Sequence, residues 1–212
     1  MSVEVATQIA KYLLEVKAVK LNPVDPFTWT SGWRSPIYCD NRVTLSHHGI
    51  RSYIKEQLVA SIQQNFGSVT AIAGVATAGI AQGALVADLM QLPYAYVRPE
   101  PKKHGMKNQI EGKLPEGSKV VVIEDLISTG GSSLKAIQAL REEGFEVVGL
   151  AAIFTYGFDV AQQQFDDANC KILTLSNYNA LLNAAVDLKY IDESILDDLG
   201  AWRSNPSGWR QN

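Results

Sequence analysis

Apolar residues return at helical spacing near the start of the chain, where Ile9, Tyr12, Leu13 and Val16 share one face of residues 2–18. The spacing predicts an amphipathic helix. From Leu21 the rhythm breaks. Pro23, Pro26, Gly32 and Pro36 interrupt an aromatic-rich stretch, "LNPVDPFTWTSGWRSPIYCDNR", which reads as short strands and turns. A second stripe, Ile50, Tyr53, Ile54, Leu58 and Ile62, predicts a helix over 47–65 with Ser46 as its cap.

Beyond residue 65, short apolar runs alternate with amphipathic ones. "VTAIAGV", "YAYV", "KVVVIED", "EVVGLAAIFTYG" and "CKILTLSN" read as strands. "GIAQGALVADLMQ", "SSLKAIQALREEG" and "DVAQQQFDDAN" read as helices between them, and helical pieces follow to residue 199. Gly144 stands where a glycine just past a helix end is expected. Strands that are apolar throughout and alternate with helices imply an α/β fold: a central, mostly parallel sheet flanked by helices on both faces. Ligands in such sheets sit beyond the carboxyl ends of the strands. That rule points at Ala76 to Gly79, at the loop after Val97, and at Asp125 to Ser133.

Composition narrows the class. The 212 residues suit a single domain, and 46 % hydrophobic content supplies a sizeable core. A net charge of −3 argues against a nucleic-acid partner. No apolar run approaches the roughly 20 residues needed to cross a bilayer, so no membrane partner is expected. The first residues mix Glu and Lys into their apolar positions, unlike a signal peptide. Cys39 and Cys170 make no disulfide framework, which suits a cytoplasmic enzyme with reduced thiols.

The chemistry concentrates in "VVVIEDLISTGGSS", Val120 to Ser133. Two adjacent acids, Glu124 and Asp125, close the apolar run. A loop of hydroxyls and paired glycines follows, and then a helix. Gly130 and Gly131 let the backbone curl around an anion, and the helix start adds its positive dipole end. The segment is neither a G-x-x-x-x-G-K-[ST] loop nor a G-x-G-x-x-G turn. Ser and Thr capping the helix would explain the loop alone, but not the acids beside it. Because neighbouring strand residues face opposite sides, one of the two acids is expected to aim into the cleft. A mono-phosphate cup next to carboxylates suits a sugar phosphate. A second stretch, "RPEPKKHGMKNQIEG" (Arg98 to Gly112), places cations between two strands with almost nothing apolar to pack. Alone it reads as a solvated basic hairpin. Beside a phosphate cup it reads as a mobile lid.

Hydrophobic residues, two acids and then "LISTGGS" resemble the phosphoribosyl-diphosphate signature of the type I phosphoribosyltransferases. That resemblance implies that Leu126, Ile127, Ser128, Thr129, Gly130, Gly131 and Ser132 hold the 5′-phosphate and that Glu124 and Asp125 hold the ribose hydroxyls. "GVATAGIAQGALVA" resembles the family's diphosphate loop, which brings in Thr77 and Ala78. The lid pattern resembles that of the branch of the family whose acceptor is orotate. It implies diphosphate contacts from Arg98, Lys102, Lys103 and His104, with Lys102, His104 and Asp125 as the catalytic groups. "FTWTSGWRSPIYCDNR" resembles the same branch's small N-terminal hood over the base, implying orotate contacts from Thr30, Tyr38, Cys39 and Ser128. Trp29 and Trp33 then read as pocket wall. Some members of the branch carry Lys where Thr30 and Ala78 stand, Lys in place of Pro99, and an Arg that has no match in "AAIFTYGFD".

The resemblance further implies Mg2+ bridged by the substrate, without a certain protein ligand, and a homodimer sharing the 98–112 loop across subunits. It divides one domain, 1–212, into a helix and hood (1–45), an α/β core (66–175) and C-terminal helices with a tail (176–212). Two other functions stay open at this point. One is a type I phosphoribosyltransferase acting on a purine or uracil. The other is a non-catalytic sensor of phosphoribosyl diphosphate, which would need a nucleic-acid-binding module that this length and charge leave little room for. His47 and His48 read as surface residues, Cys39 as a small buried hydrophobe rather than a nucleophile, and the tail "GAWRSNPSGWRQN" as a frayed end.

Overall fold

The computed structural model describes residues 2–29, 31–100 and 109–210. Helix α1 (Val3–Glu15) starts on Ser2, whose hydroxyl accepts the Val5 N–H at 3.2 Å. It ends before Lys17, which takes φ +57°. The proline-broken stretch forms two small antiparallel ladders. Strand β1 (Val19–Leu21) pairs with β4 (Ile37–Cys39), and β2 (Phe27–Thr28) with β3 (Arg34–Ser35). A 3-10 turn, Asn41–Ser46, leads into α2 (His48–Asn65). Ser46 therefore does not cap α2 as the sequence suggested. Asp40 caps the tight turn by accepting the Arg42 N–H, Ser46 is spent closing that turn, and His47 takes the cap position without a side-chain bond.

The six-stranded sheet comprises β5 (Ala71–Val75), β6 (Tyr94–Val97), β7 (Ile110–Glu111), β8 (Lys119–Ile127), β9 (Glu146–Thr155) and β10 (Ile172–Asn177). Its order is β10-β9-β8-β5-β6-β7, parallel except for β7. The connecting and closing helices are α3 (Gly79–Met90), α4 (Gly131–Glu142), α5 (Asp159–Asp167), α6 (Tyr178–Asp187) and α7 (Leu196–Ser204).

Alternation along β8 explains why its run is apolar on both faces. Val121 and Ile123 pack in the core shared with α1, α2 and α6. Val120 and Val122 pack in the opposite core with Ile137 and Leu140 of α4 and Phe165 of α5. The end of α4 is the one expected. Gly144 takes φ +87°, its N–H donates to the Arg141 carbonyl, and the Phe145 N–H donates back to Leu140.

Two boundaries differ from the sequence reading. β8 runs past the acids to Ile127, because β9 continues beside it and pairs Leu126 with Phe154 and Ile127 with Thr155. The tail is docked rather than frayed: Trp202 and Trp209 are buried, and Arg210 bonds Asp198 and the Pro23 carbonyl. Among the described residues no helix is long and apolar enough to cross a membrane.

Candidate active site

The two acids sit on a strand whose faces were already assigned by the valines before them. Glu124 continues the Val120–Val122 face and is buried toward α4. Its Oε2 accepts the Ser133 hydroxyl and its Oε1 accepts the Asp125 N–H, each at 3.0 Å. Burial, and then the charge of Asp125, push the Glu124 carboxyl up to about 8. Asp125 continues the Val121–Ile123 face and is half-buried on the hood side. Burial raises its carboxyl too, against the opposing pull of its bond to Glu124 and of the Arg42 charge. Burial raises Cys39 and Tyr156, and the Asp125 charge adds to both shifts. The two acids thus lie on opposite faces of the strand, with Asp125 on the hood side.

The loop after β8 leaves the start of α4 without a side-chain cap. Gly130 occupies the cap position of α4 at φ +86°, and no side chain caps the helix. The first N–H in the helical ladder is that of Leu134, which donates to the Gly130 carbonyl at 2.9 Å. Ser133 is committed to Glu124, while Gly131 and Ser132 are exposed in the first turn. The hydroxyl-capped turn that would explain the loop without a ligand is therefore not formed, and the positive end of α4 is left open. A Cβ on residue 130 would lie 2.8 Å from the Phe165 ring, so glycine is demanded twice there. Ile127 turns its side chain into the core and gives its carbonyl to the Tyr156 N–H and the Thr155 hydroxyl, so its side chain offers nothing to the loop.

A second uncapped helix start lies at the same edge. After β5 the Ala76 N–H donates to the Val97 carbonyl, the Ala76–Thr77 peptide is cis, and α3 begins without a side-chain cap. Thr77 is exposed and Ala78 half-buried. Gly79 lets this helix start rest directly on β8: a Cβ there would lie 2.5 Å from the Ile123 carbonyl oxygen. Arg98 follows β6 at the same edge. Its guanidinium lies 3.4 Å from Glu111 at the base of the β6–β7 hairpin, and its N–H donates to the Gln109 carbonyl. Lys102, Lys103 and His104, like Thr30, lie outside the described residues.

Between hood and loop opens a cavity of about 530 Å3. Its roof is Thr28, Trp29, Ser31, Trp33, Tyr38 and Cys39, and its floor is Leu126, Ser128, Thr129 and Tyr156. Tyr38, Cys39 and Ser128 thus meet at one cavity, with Leu126 and Thr129 at the end of β8 and in the loop after it. Trp29 and Trp33 are wall. The Cys39 thiol is pushed up by burial and then by Asp125 and Asp40, so it stays neutral and donates to Asn41 Oδ1 at 3.3 Å. It lines the cavity while packing against the core, and it is no nucleophile. His47 and His48 are exposed, and no cluster of three metal-ligating side chains occurs among the described residues. Tyr156 went unnoticed in the sequence. It follows directly after β9 at the sheet edge where ligands bind, and that position was the available signal.

A hood, an acid-tipped central strand and two uncapped helix starts at one sheet edge make a cleft suited to a phosphorylated sugar. Residues 45–189 match the phosphoribosyl transferase domain, and the chain belongs to that family. Its relatives narrow the branch to the orotate phosphoribosyltransferases. It is 55 % identical to the orotate phosphoribosyltransferase of Bacteroides fragilis over 200 residues, 94 % of each chain. It is 56 % identical to that of Porphyromonas gingivalis over 201 residues, 95 % of this chain and 96 % of the other. The crystal structure of the Aeropyrum pernix orotate phosphoribosyltransferase superposes with a TM-score of 0.75 at 31 % identity, covering 86 % of this chain and 99 % of that one.

Proposed function

We propose that this protein is an orotate phosphoribosyltransferase, joining ribose 5-phosphate from phosphoribosyl diphosphate to N1 of orotate in pyrimidine nucleotide synthesis. The observation that carries this reading is the aromatic-roofed cavity whose floor is the phosphate loop, in a chain 55 % identical to enzymes of that name. The N1–C1 bond forms as the C1–O bond to diphosphate breaks, and the N1 proton is released.

No protein nucleophile is needed, because the base attacks. Catalysis is then positioning plus charge. The open start of α4 holds the 5′-phosphate, with Ser128, Thr129, Gly130, Gly131 and Ser132 around it. Thr77, Ala78 and Arg98 serve the diphosphate. Asp125 faces the ribose and favours positive charge developing at C1, while Glu124, bonded to Ser133 and to the Asp125 N–H, fixes the strand against α4. Lys102, Lys103 and His104 supply positive charge to the leaving group as its negative charge grows.

Mg2+ fits this arrangement in one form. Among the described residues there is no cage of protein ligands, only the Asp125 carboxylate near the loop, which suits an ion held mainly by substrate oxygens. When bound, it neutralises charge on the diphosphate. The lid acts across a homodimer. The two free thiols support a cytoplasmic setting for the enzyme. All three parts of the chain serve one site, with residues 1–45 as roof, 66–175 as floor and 176–212 behind the wall.

A structure with orotate and phosphoribosyl diphosphate bound tests the assignment. The base is expected between the hood and Ser128, with the ribose beside Asp125. A base bound elsewhere would overturn it.

A further inference from the structure

Behind the cavity's aromatic wall lies Trp202 of α7, fully buried. Its ring meets Trp29 edge-on at 5.6 Å and Tyr156 edge-on at 5.6 Å. Trp29 and Tyr156 stack on each other at 5.2 Å. Trp29 belongs to the hood and Tyr156 to the end of β9, so Trp202 closes the seam between the two halves of the wall. Its indole N–H is buried without a hydrogen-bond partner among the described residues. The side chain is therefore held by packing, and its contribution is the shape it imposes on those rings.

The residues after α7 add a second tie. Trp209 donates its indole N–H to Asp198 at 3.0 Å, and the Arg210 guanidinium lies over the Trp209 ring at 4.7 Å. That guanidinium reaches Asp198 Oδ2 at 2.8 Å and the Pro23 carbonyl at 2.7 Å. Pro23 stands just before the β2–β3 hairpin that carries Trp29 and Trp33 into the cavity. Arg210 is half-exposed, so its ion pair alone contributes little. The consequence is geometric: one planar group joins α7 to the root of the hood hairpin.

We propose that the C-terminal segment, Leu196 to Arg210, positions the acceptor pocket. Trp202 sets the Trp29–Tyr156 wall, and Arg210 fixes the hairpin that bears it. The proposal rests on reading the cavity as the site of the base. The phosphate loop is held by other contacts, Ser133 to Glu124 and Gly130 against Phe165. Disturbing the tail should therefore weaken the acceptor and spare the donor.

The test compares Arg210→Ala, Arg210→Lys and a deletion of residues 206–212, with orotate and phosphoribosyl diphosphate varied independently. Arg210 lies at the surface, so its substitution leaves the fold intact even if the deletion does not. The expected result is a rise in KM for orotate of about fivefold in Arg210→Ala and more in the deletion. KM for phosphoribosyl diphosphate and kcat stay within about twofold. Arg210→Lys falls between, because an ammonium replaces the fork that spans both acceptors. An unchanged orotate KM in Arg210→Ala and in a folded deletion, with an active wild type, would overturn this proposal alone. So would equal rises in both KM values, which mark general loosening. A wild type that does not turn over orotate would overturn the functional reading and this proposal with it.

Discussion

Asn41 Nδ2 donates to the backbone carbonyl of Asp125 at 2.7 Å, across 84 residues of sequence. The same buried amide accepts the Cys39 thiol through Oδ1. One side chain thus connects Cys39, in the cavity lining, to the backbone of Asp125. Asn41→Ala leaves that carbonyl without its donor, at a cost of about 1–3 kcal/mol in stability. It should also lower kcat, because Asp125 loses its lateral support. Urea denaturation and steady-state rates check both. Unchanged values in both would remove the link from the account.

Glu124 predicts a pH dependence. Burial raises its folded carboxyl to about 8, so the folded protein holds a proton that the unfolded chain has already released. The stability this contributes is fully present below the ordinary carboxyl range and is lost as pH rises through about 8. The ligand-free protein should therefore melt at progressively lower temperature from about pH 5 to about pH 8.5, and Glu124→Gln should flatten the slope. Parallel melting curves for both proteins would contradict this.

The two glycines of the phosphate loop should behave differently. Gly130→Ala forces a Cβ into positive φ and onto the Phe165 ring, costing roughly 1–3 kcal/mol and weakening phosphoribosyl diphosphate. At Gly131 a Cβ would meet nothing within 4 Å, so Gly131→Ala should fold with wild-type stability. Chemical denaturation of the two variants distinguishes them, and equal stability would contradict the distinction.

The lid carries a prediction across subunits. Lys102→Ala should lower kcat by roughly a hundredfold, far more than it weakens binding, because its charge is needed as the diphosphate leaves. Asp125→Asn should also cripple turnover without unfolding the protein. Mixing the two inactive variants should restore activity through heterodimers with one intact site. No recovery despite proven subunit exchange would place each lid over its own site.

Much of this was legible in the sequence because it depends on local pattern. The all-apolar runs marked buried parallel strands, and the acids beside a glycine-rich turn marked the phosphate end of the central strand. The parts that were not legible depend on what the chain meets later. Ser46 looks like a helix cap until Asp40 closes a 3-10 turn before it. Tyr156 is one aromatic residue after a strand until the hood lowers Trp29 onto it. "WRSNPSGWR" looks like a loose end because Asp198 and Pro23, which hold it, are distant or unremarkable in sequence. Which acid lies on the hood side was not legible either, because Glu124 finds Ser133, nine residues on, at the sheet's other face.

The central claim is the reaction itself. The most direct measurement is the ultraviolet absorbance of orotate incubated with the protein, phosphoribosyl diphosphate and Mg2+. The account predicts loss of orotate absorbance that requires all three additions, with orotidine 5′-phosphate and diphosphate formed in equal amounts. Unchanged orotate, with turnover when uracil or a purine is supplied instead, would contradict it.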